Sequence, residues 1–374
     1  MKIILATGGS GGHLFPALSV AKEFQRDGHK ILFLGSFKRN SPSASNNNSS
    51  HDWNLGEKKI KEAGFTSLSH DAKGFNKNQP TQWLTWCITL VRACYRSLLF
   101  VKEFNPDVVL GFGGYGAFPV VLAASILRRP TLIHEQNVIP GKANRFLSPL
   151  VRKVAITFRE SQKYFHPGKT VLTGCPSHHP PEHADKNEIL KKFHLQEGRS
   201  TILVFGGSQG SQRINEVFVE TAKALEKRFD FQVIHITGKR DCGRITQKYR
   251  DFQSPLAVFE FLDEIEQAFS VADLVISRAG AVTVTEIAAF ERPAILIPYP
   301  HAHEHQQANA LILCEMGMAS VIKDKDLSVE TLTAGILKGL HHDQNQIQKK
   351  QLSKNIYFSD SSSRLANEAL KLIR

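Results

Sequence analysis

The sequence predicts an α/β protein made of two doubly wound, Rossmann-like domains that face each other across a cleft. A short apolar strand runs twice into a glycine-rich turn, first at Gly8–Gly12 and, about two hundred residues later, at Gly206–Gly210. A strand that stops at glycines and restarts as a helix exposes unpaired N–H groups and the positive end of the helix dipole, which attract phosphate. The 374 residues also exceed one ordinary core and suit two domains. Because ligands bind at the carboxyl ends of such strands, the paired turns predict a ligand cleft.

Strands and helices alternate through the N-terminal half. Apolar runs bounded by turn residues predict its strands, and apolar residues at helical spacing predict its helices. In chain order these are the strand Ile3–Thr7, the helix His13–Arg26, the strand Ile31–Leu34, the helix Gln82–Phe104, the strand Asp107–Leu110, the helix Phe118–Leu127 and the strand Thr131–Ile133. A third glycine turn, Gly111–Gly116, and the polar run His134–Asn137 both follow strands. The glycines of the third turn either let backbone amides approach a ligand closely or only let helix and strand pack tightly. The polar run, directly after a buried strand, is expected at the ligand-binding edge. The polar tract Asn40–Ser50 predicts a flexible surface loop.

The helix Gln82–Phe104 is the most apolar helix candidate, and it has two interpretations. Arg92 and Arg96 interrupt the apolar run, so we expect it to be too short to span a membrane. It is either a core helix or a patch that rests on a membrane. The core stripe would be Leu84, Cys87, Val91, Tyr95 and Leu98. The membrane patch would be Trp83, Trp86 and Leu90, with a basic rim of Lys73, Lys77, Arg92 and Arg96.

A second doubly wound unit is predicted from Lys169 to about Tyr357, with Ala155–Pro180 as the crossing between the halves. Its predicted strands are Ile202–Phe205, Gln232–Ile236, Ala257–Phe259, Leu274–Ile276 and Ala294–Ile297. The turn Ser277–Glu286 follows the fourth of them, and Thr283 and Thr285 can present hydroxyls there. Glu286, expected in the first helical turn, is either a capping carboxylate or an acceptor for a ribose diol. The glycine turn at Gly206 favours the ribose.

Two polar clusters have the composition of a metal site, and we expect neither to be one. His301, His303 and His305 alternate, but flanking prolines and a helix-like run after Gln306 disfavour a strand that presents all three. The triplet Asp324–Asp326 has D-x-D spacing but lies in a charged loop far from any glycine turn, so it is interpreted as solvated. We therefore expect no metal and no cofactor.

The amino-acid composition indicates which classes of binding partner to expect. The 47 Lys and Arg residues outnumber the 35 Asp and Glu residues, and the resulting net charge of +12 favours anionic partners. No motif that reads nucleic acid accompanies this charge, so nucleic acid is not expected. Five scattered cysteines without a C-x-x-C pair fit reduced thiols. The first strand begins directly after Met1, which leaves no room for a signal peptide and predicts a cytosolic protein.

The glycine turns lack the residues that two common types of nucleotide-binding site require. A dinucleotide site needs an acidic residue at the end of the second strand, where the chain has Gly35–Arg39 without a carboxylate. A P-loop needs Gly-Lys-Ser or Gly-Lys-Thr, which no turn contains. The remaining interpretation is a two-domain enzyme that clamps a nucleotide diphosphate.

Six motifs occur in the order of one known family. They are Thr7–Ala17, Gly113–Tyr115, His134–Asn137, Gly206–Gly210, Ser277–Ala281 with Thr283–Glu286, and His305–Gln306 with Asn309–Ala310. Through these motifs, from about residue 1 to the C-terminus, the chain resembles the MurG family, undecaprenyldiphospho-muramoylpentapeptide β-N-acetylglucosaminyltransferases that make lipid II for peptidoglycan. The resemblance implies a GT-B-type fold. It also implies an inverting transfer of N-acetylglucosamine from UDP-N-acetylglucosamine to the 4-hydroxyl of lipid I, the undecaprenyl-diphospho-N-acetylmuramoyl-pentapeptide.

The resemblance also implies a role for each half. Residues 1–168 plus 357–374 would form the acceptor- and membrane-facing domain, and residues 169–356 the UDP-sugar-binding domain. The implied donor-binding residues are Ser10, Gly11, Gly12, Asn137, Ser208, Leu262, Ala281, Val282, Thr283, Val284, Thr285, Glu286 and Gln306. The residues implied for acceptor or membrane are Gly113, Gly114, Tyr115, Trp83, Trp86 and Leu90. A general base must take the proton of the hydroxyl, and the candidates are His13 and Glu135, with His13 preferred.

The expected partners follow from the same resemblance. They are UDP-N-acetylglucosamine, lipid I, an anionic membrane surface, and other proteins of cell-wall synthesis and division; the expected location is peripheral, on the cytoplasmic face of the bacterial inner membrane. The chain departs from the family where Gly-Asn-Pro is usually followed two residues later by arginine, because it has Gly174-Cys175-Pro176-Ser177-His178. That arginine's contact to the donor is lost or is taken over by His178, His179 or a nearby arginine.

Two alternatives stay open. One is another UDP-sugar enzyme of the same fold, such as a UDP-N-acetylglucosamine epimerase or a glycolipid synthase. The other is a non-catalytic scaffold that binds UDP-sugar.

Overall fold

The structure is a computed structural model of the 374-residue chain. It describes residues 1–37, 55–70, 72, 83–181, 184–300, 302, 304–340 and 356–373. The predicted loop Asn40–Ser50, together with Lys73 and Lys77 of the predicted basic rim, lies outside these residues. The chain divides into two compact units: unit 1 comprises Met1–Ser177 and Asp360–Arg374, and unit 2 comprises His178–Ser359.

Unit 1 contains a sheet of seven parallel strands. The strands are β1 (Lys2–Gly8), β2 (Lys30–Ser36), β3 (Thr66–Ser69), β4 (Val108–Gly111), β5 (Thr131–Glu135), β6 (Lys153–Ile156) and β7 (Thr170–Leu172). Their order is β3-β2-β1-β4-β5-β6-β7, so the direction of winding reverses between β1 and β4. The helices are α1 (Gly11–Arg26), α2 (Leu55–Glu62), α3 (Trp83–Phe104), α4 (Gly114–Ile126), α5 (Lys142–Leu147) and the C-terminal helix Ser361–Leu370.

Both faces of the unit 1 sheet are buried, which is why its strands are continuous apolar runs. Ile3 and Leu5 pack in one core with α1 and the C-terminal helix, and Ile4 and Ala6 pack in a second core with α4. The C-terminal helix is also tied to this unit by polar contacts, since Lys153 Nζ lies 2.7 Å from Glu368 Oε2. Apolar side chains that alternate along β1 therefore pack against helices on both faces of the sheet. The turns lie at the carboxyl ends of its strands.

Unit 2 repeats this architecture with six parallel strands. They are β8 (Ser200–Phe205), β9 (Phe231–Ile236), β10 (Leu256–Phe259), β11 (Leu274–Ser277), β12 (Ala294–Leu296) and β13 (Ala319–Val321), in the order β10-β9-β8-β11-β12-β13. The helices are α6 (Lys186–Lys192), α7 (Gln212–Glu226), α8 (Cys242–Lys248), α9 (Ile265–Val271), α10 (Ala281–Ala289), α11 (His305–Glu315) and α12 (Val329–Leu340). The predicted class of two doubly wound α/β domains is confirmed.

The exposed face of α3 corrects the sequence-based core interpretation. Leu84, Val91 and Tyr95, three members of the predicted core stripe, are 72%, 68% and 62% exposed. The buried side chains of α3 are the small Ala93 and Ser97 together with Val101, spaced four residues apart where the helix packs on α4. Of the predicted membrane patch, Trp83 is exposed, whereas Trp86 and Leu90 are half-buried. Among the described residues, α3 is long and apolar enough to cross a membrane, as core helices of soluble proteins also can be. The prediction that this helix is too short for a span is therefore wrong.

Candidate active site

The first glycine turn of unit 1 presents a histidine. β1 ends at Gly8, and Ser10 is the extended N-cap residue of α1, but its side chain does not cap the helix. Its hydroxyl Oγ instead lies 2.7 Å from Nδ1 of His13, which is in the first turn of the helix. The turn is anchored at its start, because the Gly9 amide donates to the Ser36 carbonyl of β2 at 3.2 Å. A serine that turns away from capping to hold an imidazole indicates that the position of that ring matters.

The third glycine turn lies against the same imidazole. Gly113 and Gly114 have φ angles of +85° and +73°, which side chains rarely adopt. A Cβ on Gly113 would lie 3.4 Å from His13 Nε2, and one on Gly114 would lie 3.3 Å from His13 Cε1. The glycines are therefore needed both for the backbone conformation and for the close approach of the ring. The structure brings these predicted acceptor residues together with the predicted base, while Tyr115 beside them is 48% exposed.

Glu135, the other candidate base, is buried and saturated with hydrogen bonds. Its Oε1 accepts from the backbone amide and the side-chain amide of Asn137, at 2.9 and 3.1 Å. Its Oε2 accepts from the Gly141 amide at 3.0 Å and from Asn144 Nδ2 at 2.9 Å. Burial raises the pKa of this carboxyl even though these donors oppose the shift. Four donors on a carboxylate that is 1% exposed favour a role in shaping the loop after β5.

The rest of the predicted polar run His134–Asn137 also organises backbone. His134 Nε2 donates to the Gly174 carbonyl at 2.9 Å, and burial lowers the pKa of this imidazole to about 4, so it is neutral at pH 7. Gln136 Nε2 donates to the Phe112 carbonyl at 2.9 Å, which ties β5 to the third glycine turn. Asn137 is the partly exposed member of the run.

His13 has the charge state that a proton acceptor requires. Burial among its neighbours lowers the pKa of the ring to about 4, although part of the residue remains exposed to solvent. The imidazole is consequently neutral near pH 7. If Nδ1 carries the proton and donates to Ser10 Oγ, Nε2 is left to accept one. The geometry of unit 1 thus favours His13 over Glu135 as a base.

The glycine turn of unit 2 is packed tightly against its neighbour. Gly210 has a φ of +75°, and a Cβ there would lie 2.0 Å from the Thr237 carbonyl oxygen at the end of β9. A Cβ on Gly238, the next residue, would lie 2.5 Å from the Gln209 carbonyl oxygen. Ser208 is the partly exposed serine at the centre of this turn. The turn therefore holds its backbone in one conformation, which is what an anion site built of amides needs.

The helix α10 places Glu286 in its second turn and corrects two expectations. The helix begins at Ala281, so Glu286 does not cap its first turn. Thr285 is fully buried and donates to the Ala281 carbonyl at 3.0 Å, so its hydroxyl is not presented to a ligand, and Val284 is also fully buried. Val282 and Thr283 are partly exposed, and Ala281 is buried. Glu286 is 4% exposed, and its Oε1 lies 2.6 Å from His178 Nδ1.

Gln306 at the start of α11 has a fixed amide orientation. Its Oε1 accepts from the Ala279 amide at 3.2 Å and from the Tyr299 amide at 2.9 Å. Because the oxygen is occupied by two backbone donors, the side chain offers N–H groups to a ligand. Leu262, expected near the uracil, is half-buried shortly after β10. His305 begins α11, and His301 and His303 lie outside the described residues.

Asp324 corrects the interpretation of the D-x-D triplet as solvated. Its Oδ1 lies 2.5 Å from Nη1 of Arg278, which is only 9% exposed. Arg278 Nη2 donates to Ser211 Oγ at 2.8 Å, directly after the second glycine turn, and Nη1 donates to the Ile297 carbonyl at 3.1 Å. Asp324 therefore belongs to a partly buried ion pair beside the turn, whereas Asp326 is exposed as expected. The described residues contain no cluster of three potential metal ligands.

Sequence reasoning missed Asn144, Arg278 and Gly238. Arg278 lies inside a quoted motif, but only its burial reveals that it is structural. Asn144 and Gly238 carry no local signal, because each acts through a partner that is distant in sequence.

Known proteins resemble the chain along its whole length. The glycosyltransferase family 28 N-terminal domain matches residues 3–156, and the glycosyltransferase family 28 C-terminal domain matches residues 201–365. A UDP-N-acetylglucosamine–N-acetylmuramyl-(pentapeptide) pyrophosphoryl-undecaprenol N-acetylglucosamine transferase from Thermodesulfovibrio yellowstonii is 37% identical, over 91% of this chain and 90% of that protein. The transferase of the same name from Halothermothrix orenii is 35% identical over 93% and 92%. The crystal structure of Acinetobacter baumannii MurG superimposes with a TM-score of 0.73 at 26% identity, covering 99% of both chains.

Proposed function

The chain belongs to glycosyltransferase family 28, and we propose that it transfers N-acetylglucosamine from UDP-N-acetylglucosamine to the 4-hydroxyl of lipid I, giving lipid II for peptidoglycan. It is a UDP-N-acetylglucosamine-dependent glycosyltransferase. The observation that carries this function is that similarity to transferases of this activity extends over both halves of the chain.

Unit 1 would supply the general base. The muramoyl 4-hydroxyl attacks the anomeric carbon of the donor, its proton passes to His13 Nε2, and the bond from the anomeric carbon to the diphosphate breaks. Ser10 Oγ, 2.7 Å from His13 Nδ1, would hold the ring and stabilise the imidazolium that forms. A diphosphate bound near the start of α1 would raise the pKa of the imidazole from about 4, because a nearby anion stabilises the charged form. Ser10, Gly11, Gly12 and Asn137 are proposed to reach the donor from this unit.

Unit 2 would hold the donor. The amides of the Gly206–Gly210 turn, with Ser208, would bind the diphosphate and stabilise the negative charge that UDP gains on leaving. Leu262 would contact the uracil, and Ala281, Val282 and Thr283 would approach the diphosphate and ribose. Val284 and Thr285, whose side chains are buried, would contribute through the helix backbone alone. Gln306, whose oxygen is occupied, would donate a hydrogen bond to the sugar.

The transfer itself is tested with purified protein, UDP-N-acetylglucosamine and a short-chain lipid I analogue. We expect a disaccharide product and free UDP in equal amounts. Epimerised donor without transfer would identify a UDP-sugar epimerase instead. Donor binding without turnover would identify a non-catalytic scaffold.

The exposed face of α3 is proposed to rest on an anionic membrane, where a lipid-linked acceptor must be reached. Its exposed apolar side chains, with Trp83 at the start, run along one face of the helix. On α5 the exposed Phe146 contacts Phe118 of α4, with ring centroids 5.5 Å apart, and lies beside the exposed basic residues Lys142 and Arg145. Apolar side chains flanked by cations are typical of a peripheral anchor. Trp86 and Leu90, which are half-buried, would lie at its margin.

Vesicle sedimentation tests the membrane contact. Val91→Asp should lower binding to vesicles that contain anionic lipid about tenfold or more, because it places a charge on the docking face. The matched control is Leu311→Asp, at an apolar residue of unit 2 that is 46% exposed. Equal losses in both variants, or in neither, would contradict docking through α3.

A further inference from the structure

The carboxylate proposed to bind the ribose is already held by a histidine side chain. His178 Nδ1 lies 2.6 Å from Glu286 Oε1, and both residues belong to unit 2, of which His178 is the first residue. We propose that His178 is a positioning residue for the donor's ribose: it donates its Nδ1–H to one oxygen of Glu286 and fixes the carboxylate so that it accepts from the vicinal hydroxyls. The proposal rests on the proposed function, in which Glu286 binds the ribose.

Glu286 needs such a partner because of where it lies. The carboxylate sits in the second turn of α10 and is 4% exposed, so it is largely withdrawn from water. A buried carboxylate requires hydrogen-bond donors that replace water, and a flexible side chain with three rotatable bonds must otherwise be ordered when the ligand binds. The neighbouring Thr285 cannot help, because its hydroxyl donates to the Ala281 carbonyl. His178 supplies the donor and pre-organises the carboxylate.

The bond to His178 leaves capacity for a diol. A carboxylate offers about four lone-pair sites on its two oxygens, and the imidazole uses one of them. Two ribose hydroxyls can therefore be accepted without displacing the histidine. The side chain of His178 is 34% exposed and that of Glu286 is 5% exposed, so solvent reaches the pair from the side of the histidine.

The contact with Glu286 also distinguishes His178 from the adjacent His179. His179 is exposed, and its Nδ1 is 3.4 Å from the Pro180 carbonyl oxygen. Only His178 of the two histidines is bonded to a residue proposed to bind the donor. At the position where the family usually has arginine, the chain thus has a side chain directed at the ribose-binding carboxylate.

The test compares two ligands that differ only in the diol. The affinities of UDP and of 2′,3′-dideoxyuridine diphosphate are measured by calorimetry for the wild-type protein and for each variant. His178→Ala should weaken UDP about tenfold and leave the dideoxy analogue unchanged within about twofold, because the lost bond serves the diol alone. His178→Asn, whose Nδ2 can overlie the imidazole Nδ1, should restore UDP affinity to within about threefold of wild type. His179→Ala is the matched control and should change neither affinity.

The outcomes separate this proposal from the proposed function. Equal weakening of both nucleotides in His178→Ala would show a structural role only, and an unchanged UDP affinity would show no role. If Glu286→Gln weakened both nucleotides equally, Glu286 would not bind the diol and the positioning proposal would fall. Transfer of N-acetylglucosamine by the wild-type protein in the same preparation would still stand. A wild-type protein that neither binds UDP nor transfers sugar would overturn both.

Discussion

The two glycine turns are near copies in sequence, but their glycines serve different physical needs. At Gly206 and Gly210 of unit 2, a Cβ would lie 2.2 Å from the Ser211 amide nitrogen and 2.0 Å from the Thr237 carbonyl oxygen. At Gly8 and Gly12 of unit 1, no described atom beyond the adjacent residues and the local helix backbone lies within 4 Å of an added Cβ. The second turn therefore needs glycine for packing, whereas at those two positions the first turn has open space in front of it.

The same contrast extends to the side chains beside each turn. The first turn carries His13 and Ser10, a pair able to move a proton. Beside the second turn are the ion pair of Arg278 and Asp324 and the bond from Arg278 to Ser211. In the proposed function, the first turn therefore takes part in proton transfer and the second binds the donor, although both are built on the same strand-glycine-helix motif.

Removing the imidazole of His13 should have the largest effect, and it tests the contrast between the two turns most directly. His13→Ala should lower the rate of transfer by about 10²- to 10⁴-fold, because the acceptor hydroxyl would lose its proposed base. The affinity for UDP should stay close to that of the wild type, since unit 2 is proposed to hold the nucleotide. Single-turnover rates and UDP calorimetry measure the two quantities separately.

Glu135→Gln is the informative counterpart. The new amide group would face two N–H donors on one side of the buried side chain, so we expect a loss of about 1–3 kcal/mol in the free energy of unfolding. Its effect on the rate should be the smaller of the two. A stable Glu135→Gln protein that is as inactive as His13→Ala would show that the base has been assigned to the wrong residue.

One alanine in each turn tests the contrast directly. Gly210→Ala should lower the free energy of unfolding by about 3 kcal/mol or more, because the methyl group meets backbone and φ is positive. Gly12→Ala should leave stability unchanged or raise it by up to about 1 kcal/mol, since this residue is in a helix and its surroundings are open. It should nevertheless slow transfer, because the methyl group occupies the proposed diphosphate position. Urea unfolding and steady-state rates are the measurements, and equal destabilisation of the two variants would contradict the contrast.

The sequence predicts the parts of this molecule that depend on local pattern. The fold class follows from long apolar strands such as Ile202–Phe205 and from the glycine turns after them. The edge strands Thr66–Ser69 and Ala319–Val321 are missed because both are partly exposed and contain only one or two apolar residues, so neither forms the apolar run that marks the other strands. The exposed face of α3 is missed because the helix is apolar almost all round, so packing on α4 through Ala93 and Ser97 decides which face is buried.

The candidate site divides in the same way. The sequence offers His13 and Glu135 as candidate bases and prefers His13, but it contains no contact that distinguishes the two. That distinction depends on Asn144 and Gly141, which saturate the carboxylate, and on Gly113, which supports the imidazole. Asp324 is misjudged because its partner is 46 residues away. These contacts exist only once the chain is folded.

Acid should lower the stability of the protein, because a neutral histidine packs beside each glycine turn: His13 at the first and His235 at the second. Burial lowers the pKa of His13 to about 4 and that of His235 to about 3, both below the usual 6.5. His235 Nε2 is 3.1 Å from Asn215 Oδ1, and Asn215 donates to the Thr237 carbonyl against which Gly210 packs. The unfolded chain binds protons at pH 6.5 while the folded chain does not, so stability should fall as the pH drops from 6.5 towards 4.

Unfolding midpoints between pH 7.5 and 4.5 measure this dependence. His13→Asn should reduce the pH dependence by about one proton, and the exposed His166→Asn should leave it unchanged. A wild-type stability that stays flat over this range would contradict the buried neutral histidines. If His13 is the base, its lowered pKa should also appear in the kinetics, so that kcat/KM has no acid limb near pH 6.5.

The smallest expected effect on UDP binding concerns the ion pair beside the second turn. Asp324→Asn removes the carboxylate from Arg278, which keeps its bonds to the Ile297 carbonyl and to Ser211. We therefore expect a loss of about 1–3 kcal/mol in the free energy of unfolding and a weakening of UDP binding by a few-fold. Asp326→Asn, two residues away and exposed, should change neither quantity. If the two variants behaved alike, the charge beside the second turn would be only a surface feature, and the turn would depend on its glycine packing alone.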